Sequence, residues 1–335
     1  MPALAIDIGT YSVKAVAGKP GKNPIISRSI ESFNKLGIAV PTDDAHMESM
    51  IEMIGNMVSD NKLVLNDVRL SLPESVVSTK LISIPNLSDA ELASAIDWQA
   101  EQHIPIPKEE LALEYKVIFR PARQDKQTPM RVLLVGTRKT VVERYTELFI
   151  NLGVEPTILE TQTLSLLRNL QMTPEEPTTL VAHLGASTMN MAIFHQGELQ
   201  FVSTYPAGGH LLTKALQQII GLDIEQAEEY KRSYGLNPDQ FEGKVRNALL
   251  PTTQSFIGEM QKATNYFSTQ RPKEAVRRIV MSGGTSQLPG LVEHVASTFG
   301  LEVLLAAPFA SAKGEVPTSN QQAMAVCMGL IMREN

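Results

Sequence analysis

The stretch that decides the fold is AIDIGTYSVKA, residues 5–15. Apolar side chains occupy alternate positions before its glycine, as a half-buried strand requires, at Leu4, Ile6 and Ile8. Gly9 and Thr10 then form a tight turn into a second strand. Asp7 stands near the end of the first strand, where a buried carboxylate is costly unless it meets a cation or hydrogen-bond donors. The stretch therefore predicts a strand–turn–strand hairpin with a charged group beside its turn.

The residue types at this turn are suited to phosphate. Gly9 lets the backbone approach a ligand closely, and Thr10 and Ser12 offer N–H and hydroxyl donors to phosphate oxygens. Lys14 lies on the same strand face as Ser12 and adds a positive charge. Beside a phosphate, the natural partner of Asp7 is Mg²⁺, usually held through its waters. Alternatively, Asp7 accepts hydrogen bonds from the N–H groups of its own turn, and the motif alone favours phosphate only slightly.

A predicted three-strand meander over residues 180–205 repeats the start of the chain at a fixed offset, so that its first two strands form a second hairpin. His183 follows Asp7 by 176 residues, and Gly185 follows Gly9 by the same 176 residues. An offset of this size fits two duplicated domains that face each other. A hairpin of this kind is common, but two in register strengthen the phosphate interpretation, because their N–H groups can flank a polyphosphate.

A third glycine-containing element is IVMSGG, residues 279–284, which leads into a helix that Pro289 opens. A strand that ends in two glycines lets a flat ring system lie against the backbone. A simple strand-to-helix turn explains the same residues, so this element leaves both interpretations open. The chain contains neither a Walker A loop nor a GxGxxG fingerprint.

Length and composition exclude several classes of protein. The 335 residues suggest two domains or one large two-lobed domain, with the clearest boundary at MTPEEPTT, residues 172–179. A net charge of −6 argues against nucleic-acid binding through a broad basic field. The single cysteine, Cys327, cannot form an internal disulfide and excludes a cysteine-rich metal site. Without an 18-residue apolar run or a signal peptide, we expect a cytoplasmic protein.

Helix signals mark the rest of the chain. A helical face over residues 46–58 is rich in methionine, which suits either a core or an adaptable groove. Ser88 and Glu91 form a predicted capping box for a helix that ends before Pro105. Further helices are predicted over residues 254–269 and 321–332.

These motifs together resemble the actin-like ATPase superfamily. IDIGTYSVKA, HLGAST (183–188), MSGGTSQLPGL (281–291) and AMAVCMGL (323–330) are similar to its two phosphate loops, its adenosine loop and its second inter-domain connector. Within the superfamily, the chain is most similar to the FtsA-like PilM family. The blocks that carry this similarity are residues 75–111, 132–156, 206–216 and 227–231.

The resemblance implies an α/β fold of two ribonuclease H-like lobes, each with a five-stranded sheet flanked by helices. Lobe one would span residues 1–178, with its core in 1–79 and 156–178. An inserted FtsA/PilM-type small subdomain would occupy residues 80–155. Lobe two would span 179–335, and its last helix, 321–332, would pack back toward lobe one.

The resemblance also implies ATP and Mg²⁺ as cofactors, bound between the lobes. The implied cofactor-binding residues are Asp7, Gly9, Thr10, Ser12, Lys14, Gly185, Ala186, Ser187, Thr188, Gly208, Gly209, Glu228, Lys231, Gly283, Gly284 and Ser286. Asp7 would hold Mg²⁺ through water, and Glu160 is the candidate catalytic residue, orienting a water molecule.

One position departs from the superfamily pattern. The second phosphate loop normally opens with aspartate, and this chain has His183 there. A neutral imidazole cannot hold hydrated Mg²⁺ as a carboxylate does, and a protonated one would repel the ion. His183 could instead donate a hydrogen bond to phosphate or fill a buried slot. ATP binding with slow or no hydrolysis is therefore expected.

The implied function is that of a cytoplasmic scaffold in the inner-membrane platform of a type IV pilus. It would bind the N-terminal cytoplasmic tail of a PilN-like membrane protein, with nucleotide tuning that interaction. Other platform proteins and pilus motor ATPases are expected partners, nucleic acid is not, and contact with the inner membrane would be indirect. One alternative is a small-molecule kinase of the same fold, but no second DxG-type acid is found in lobe two. Another is an FtsA-like filament former, although no amphipathic tail follows the last helix.

Overall fold

The computed structural model describes residues 2–125 and 127–334, and its strands form sheets around the two predicted hairpins. The strands are β1 (Ala3–Ile8), β2 (Ser12–Lys19), β3 (Ile25–Phe33), β4 (Asp67–Leu72), β5 (Val77–Ile84), β6 (Leu111–Phe119), β7 (Met130–Arg138), β8 (Ile158–Thr161), β9 (Thr179–Leu184), β10 (Met189–His195), β11 (Glu198–Tyr205), β12 (Arg278–Ser282), β13 (Glu302–Leu305) and β14 (Lys313–Gly314). The helices are α1 (Asp44–Asp60), α2 (Asp89–His103), α3 (Lys139–Asn151), α4 (Gln162–Leu170), α5 (Gly209–Ile220), α6 (Ile224–Tyr234), α7 (Lys244–Gln270), α8 (Leu291–Phe299) and α9 (Ala325–Ile331).

The two larger sheets share one topology over five strands, and the first has a sixth strand, β14, beyond the five that the resemblance implies. The first has the order β14-β3-β2-β1-β4-β8, and the second has the order β11-β10-β9-β12-β13. In each, the hairpin strands pair antiparallel, and the first strand of the hairpin continues into parallel neighbours on its other side. The turns also match, since Gly9 N–H donates to Ser12 O at 3.0 Å and Gly185 N–H donates to Thr188 O at 2.9 Å. The repeat in the sequence is therefore a repeat of structure.

The smaller sheet has the order β5-β7-β6, and its strands lie in the predicted insert except for the first residues of β5, which begins at Val77. The predicted capping box of α2 is confirmed, with Ser88 as the N-cap and Glu91 reaching back to its backbone N–H. Leu92 and Ile96 of this helix pack into the core of the small sheet. Phe149 of α3, by contrast, packs with the first large sheet. The domain bounds inferred from the sequence remain a prediction.

The methionine-rich helix face belongs to the core. Met47, Met50 and Met57 of α1 are at most 5% exposed and pack against the first sheet. Burial of an apolar side chain of this size stabilises a fold by about 1.5–3 kcal/mol relative to exposure. The groove interpretation of this face is therefore not supported.

Helix α9 joins the end of the chain to the first sheet. It packs against β1, β2 and α4, with Cys327 and Met328 fully buried. Contact with α4 is so close that a Cβ at Gly329 would lie 1.8 Å from the carbonyl oxygen of Ser165. Only glycine permits this helix crossing.

Two predicted helices differ from the structure. Helix α7 begins at Lys244, about three turns before the predicted start, and continues through Pro251. Burial of Ala248, Leu249 and Thr253 around this proline outweighs the hydrogen bond that its ring removes. The predicted helix over 321–332 is instead a 3₁₀ turn over Gln321–Met324 followed by α9.

Among the helices of the described residues, none combines the length and apolar content that crossing a bilayer requires.

Candidate functional site

A cleft of about 440 Å³ lies between the turns of the two hairpins, within the size range of small-molecule sites. The structure brings most of the predicted site residues to its walls: Asp7, Gly9, Thr10, Ser12, Lys14, Gly185, Ala186, Ser187, Thr188, Gly209, Glu228, Lys231, Gly283 and Gly284. His183 lines the same cleft. Residues from four distant parts of the chain thus converge on one cavity.

Two predicted residues lie behind the wall and support it. A Cβ at Gly208 would lie 2.5 Å from the carbonyl oxygen of Gly185, so this glycine lets α5 begin directly against the second turn. Ser286 is fully buried, and its hydroxyl donates to the carbonyl of Gly283 at 2.7 Å. Neither residue is among those that line the cleft.

Glu160 does not occupy the position that the sequence suggested. Its carboxylate accepts hydrogen bonds from Ser165 at 2.6 Å, from Arg168 at 2.8 Å and from Arg333 at 2.8 Å, and it does not line the cleft. Burial raises the pKa of Glu160, but the Arg168 hydrogen bond and charge, with Ser165, hold that pKa below its ordinary value. The geometry argues against the expected water-orienting role, because this ionised carboxylate lies outside the cleft and is bound by two guanidinium groups, an arrangement typical of a structural ion pair.

Asp7 is the ionised centre of the cleft floor. Ser71 donates to its Oδ1 at 2.6 Å, Gln162 Nε2 donates to the same oxygen at 2.7 Å, and Lys14 Nζ lies 3.4 Å from its Oδ2. Burial by itself raises the pKa of Asp7, but the Lys14 charge and the two hydrogen bonds hold the pKa below its ordinary value. The buried carboxylate is thus compensated by the protein itself.

Two residues that the sequence interpretation missed complete this floor. Gln162, the first residue of α4, lines the cleft and accepts a hydrogen bond from the backbone N–H of Glu74 at 3.2 Å. Glu74 is 2% exposed, and its carboxylate accepts from Thr163 N–H at 2.8 Å. Burial raises the pKa of Glu74. No local pattern announces either residue, because their partners lie 88 and 89 positions apart in the sequence.

The two hairpin turns touch each other across the cleft. The hydroxyls of Thr10 and Ser187 are hydrogen-bonded at 2.6 Å, and Thr10 also lies 3.1 Å from Nε2 of His210. Beside them, Arg232 donates to the hydroxyl of Tyr11 at 3.0 Å. Donor groups from both sheets therefore face the space between the turns.

A buried ion pair forms another wall. Lys231 on α6 donates to the carboxylate of Glu228 and to Thr213 Oγ1 at 2.9 Å. Burial lowers the pKa of Lys231, while the Glu228 charge opposes that change. The pair brings one cation and one anion to the cleft in a fixed geometry.

Gly283 and Gly284 play different parts. Gly283 has φ +84°, and a Cβ there would lie 2.3 Å from the carbonyl oxygen of Leu184. This glycine is therefore required by packing of the turn against β9. A Cβ at Gly284 would meet only Ala323 Cβ at 3.9 Å, and Gly284 itself lines the cleft.

His183 is a neutral group in the second hairpin. It is 7% exposed, with Nδ1 lying 3.3 Å from the hydroxyl of Ser282. Burial lowers the pKa of His183 to about 4, and the Asp7 charge opposes this only in part. The imidazole is uncharged at neutral pH, and its ring belongs to the cleft wall rather than to an enclosed core.

The polar groups that line the cleft fit a polyphosphate better than they fit a metal ion. Glycine turns, hydroxyls and Lys14 suit phosphate oxygens. Within residues 2–125 and 127–334, no group of three histidine, cysteine, aspartate or glutamate residues could hold a metal ion. The floor has two carboxylates, and each already has a partner in the protein: Asp7 contacts the Lys14 ammonium, and Glu74 accepts a hydrogen bond from Thr163 N–H. The residues present therefore do not fit the Mg²⁺ that the resemblance implies.

This chain is similar to known proteins both at the level of a family model and at the level of individual sequences. The family model described as type IV pilus assembly protein PilM matches residues 5–335. Cell division protein FtsA of Neisseria meningitidis serogroup B is 29% identical over 154 residues, covering 38% of this chain and 36% of that protein. FtsA of Streptococcus pneumoniae is 23% identical over 342 residues, covering 90% of this chain and 75% of that protein.

Two solved structures share the fold. A PilM–PilN type IV pilus biogenesis complex has a chain with a TM-score of 0.86 at 21% identity, covering 98% of this chain and 97% of that one. MreB5 of Spiroplasma citri bound to AMPPNP has a TM-score of 0.57 at 13% identity, covering 98% and 94%. Because the family match spans nearly the whole described chain, this protein belongs to the type IV pilus assembly protein PilM family and has the actin-like ATPase fold.

Proposed function

We propose that this protein is an ATP-binding scaffold of type IV pilus assembly, which holds the N-terminal cytoplasmic segment of a PilN-like inner-membrane protein. Family membership supports the role in pilus assembly. The observation that carries the partner is the likeness in fold, over nearly the whole chain, to a protein solved in a PilM–PilN complex. The protein would then work at the cytoplasmic face of the inner membrane and reach the membrane only through its partner.

The nucleotide part of the proposal rests on the cleft. Its paired turns bring the hydroxyl-bearing side chains of Thr10 and Ser187 from both sheets to the cleft wall, and Gly9 and Gly185, which carry no side chain, line the same wall. Lys14 supplies a positive charge at the first turn, while Lys231 and Glu228 provide polar contacts for a sugar and a base. A protein of the same fold, MreB5, has been solved with the ATP analogue AMPPNP.

Nucleotide would tune the scaffold because both sheets contact the cleft. The Thr10–Ser187 hydrogen bond joins the turns directly, so phosphates inserted between them would change the contacts of both turns. A ligand that contacts two bodies favours the arrangement in which both contacts are made. The neutral His183 offers no carboxylate to the second turn, which is consistent with slow or no ATP hydrolysis. Nucleotide is thus proposed as a structural effector.

The first experiment tests nucleotide binding by thermal melting with and without ATP. Wild-type protein is expected to melt at a higher temperature with ATP, by an amount that grows with ATP concentration. Gly284→Leu should abolish this increase, because its side chain would extend into the cleft beside Ala323. Gly258→Leu is the matched control, since a Cβ at Gly258 on α7 meets nothing within 4 Å. Equal ATP stabilisation of wild type and Gly284→Leu would reject this cleft as the site.

The second experiment tests the partner. A fluorescently labelled peptide with the N-terminal cytoplasmic sequence of the PilN-like protein is titrated with wild-type protein, with and without ATP. Saturable binding is expected, together with a change in affinity when ATP is added. A scrambled peptide is the control. Absence of binding under both conditions would reject the scaffold role while leaving the nucleotide result intact.

The single tryptophan provides a second readout. Trp98 lies on α2 and is 57% exposed, so its fluorescence reports on ligands that cover this helix. A change in its emission on peptide binding would place the peptide near the small sheet. Unchanged Trp98 emission, together with increased fluorescence anisotropy of the labelled peptide, would indicate that the peptide binds another surface of the first lobe.

A further inference from the structure

We propose that this cleft binds its nucleotide without a divalent cation, using Lys14 and the neutral polar row of the second hairpin in place of a metal held by carboxylates. The inference rests on the proposed function, because it concerns the same ligand in the same cleft. Three observations carry it: the composition of two matching rows, the contacts of Asp7, and an unpaired amide behind His183.

The matching rows run across the two large sheets. In the first sheet, Asp7 on β1 stands opposite Lys14 on β2 and beside Ser71 on β4. In the second sheet, His183 on β9 stands opposite Asn190 on β10 and beside Ser282 on β12. The six positions carry one carboxylate, and the second row has no formal charge. Of these two rows, only the first therefore offers an anionic ligand to a metal between the turns.

The contacts of Asp7 leave little capacity for a metal. Its Oδ1 already accepts from Ser71 and Gln162, and its Oδ2 faces the Lys14 ammonium at 3.4 Å. A divalent cation would have to share this carboxylate with a like charge, which disfavours both. Lys14 lies at the first turn itself, since a Cβ added to Gly9 would lie 3.1 Å from its Nζ. The ammonium is therefore placed to contact phosphate directly.

Asn190 adds a buried amide without hydrogen-bond partners among the described residues to the second row. Its side chain is 3% exposed, and neither Nδ2 nor Oδ1 has a hydrogen-bond partner among the described residues. A buried amide without partners is costly, so such a group is normally satisfied by a bound water or ligand. Directly across the hairpin, His183 lines the cleft. The second row can therefore contact a phosphate through its hydrogen-bond donors or through an ordered water. A carboxylate at the same position would repel the phosphate.

The remaining charges of the cleft support metal-free binding. Lys14, Lys231 and Arg232 line the wall and are cationic. The carboxylate of Glu228 is paired with Lys231, and that of Glu31 accepts from Ser12 and Asn320. Carboxylates of the wall thus have donors within the protein, so they add less repulsion toward a polyphosphate than unpaired ones would.

The test compares ATP binding by the wild-type protein in excess MgCl₂ and in excess EDTA, by isothermal titration calorimetry and by thermal melting. The dissociation constants are expected to differ by less than about threefold, and both conditions should raise the melting temperature. ATP binding in MgCl₂ that disappears in EDTA would overturn the inference and leave the proposed function standing. No binding under either condition would overturn both.

A variant restores the missing carboxylate. His183→Asp is expected to make ATP binding metal-dependent, with a dissociation constant in EDTA at least about tenfold weaker than in MgCl₂. His103→Asp makes the same chemical change at the exposed end of α2 and should behave as wild type. If His183→Asp folds, by its melting transition, yet shows no metal dependence, then position 183 does not decide the cation requirement, and the inference is wrong.

Discussion

The role of Glu160 separates a catalytic from a structural interpretation, and Glu160→Gln tests it. The substitution keeps the shape of the side chain and removes the charge that binds Arg168 and Arg333. Breaking a buried ion pair costs about 3–5 kcal/mol. Glu160 is 4% exposed at its side chain, but Arg168 and Arg333 are 28% and 42% exposed and can be rehydrated. We therefore expect a loss of stability at or below the lower end of this range, about 2–3 kcal/mol.

This loss is measurable by thermal melting at neutral pH. It corresponds to a decrease in melting temperature of about 4–12 °C for a cooperative unit of 150–250 residues. Glu259→Gln is the control, because Glu259 forms a surface pair with Lys262 on one helix, and an exposed pair of this kind contributes little to stability. The increase in melting temperature caused by ATP should be the same in wild type and in Glu160→Gln, since Glu160 does not line the cleft.

The pH dependence has a defined sign. The pKa of Glu160 is lower in the folded protein than its ordinary value of 4.5. Its contribution to stability is therefore fully present above that ordinary value and is lost as the pH falls through the folded pKa. The difference in melting temperature between wild type and Glu160→Gln should accordingly be constant near neutral pH and shrink in acid. An unchanged melting temperature at neutral pH, together with loss of any ATP hydrolysis, would refute the structural interpretation.

Three further predictions concern backbone packing and a second buried acid. Gly283→Ala should destabilise the protein by about 2–5 kcal/mol in urea unfolding, because its φ is left-handed and its Cβ would collide with β9. Gly300→Ala is the control: Gly300 has φ +64° but open surroundings, so this substitution should destabilise the protein by only about 1 kcal/mol. Gly329→Ala should also lower the urea midpoint, because its Cβ would overlap a carbonyl of α4, and an unchanged midpoint would contradict the observed crossing of α9 and α4. Burial raises the pKa of Glu74, so its charged form destabilises the folded protein. Glu74→Gln should therefore raise the melting temperature at neutral pH but not below the ordinary carboxyl pKa of 4.5. Equal melting temperatures of wild type and Glu74→Gln at neutral pH would contradict this.

Much of the fold and of the site followed from local patterns. The alternation around Gly9 and its repeat at Gly185 predicted two equivalent hairpins, and the structure shows equivalent turns. The capping box at Ser88 predicted the start of α2 because capping is a contact between neighbours in sequence. The continuation of α7 through Pro251 was not predictable in this way, since distant core residues outweigh the local effect of proline.

The sequence by itself determined the turns, the lysine at the first turn and the loss of a carboxylate at position 183. These properties depend on residue type and on short spacing, which fix the backbone conformation and the charge of a turn. Spacing along a strand also determines which face a side chain occupies.

Only the tertiary structure decided which groups a side chain meets on its face of the strand. Gln162 reaches Asp7 from 155 positions away, whereas Glu160, two residues earlier, is bound by Arg333 from 173 positions away. Packing of α9 against α4 and the first sheet brings that arginine to Glu160. The physical reason is that a carboxylate takes its charge state and its role from the groups that meet it in space, and those groups come from distant parts of the chain.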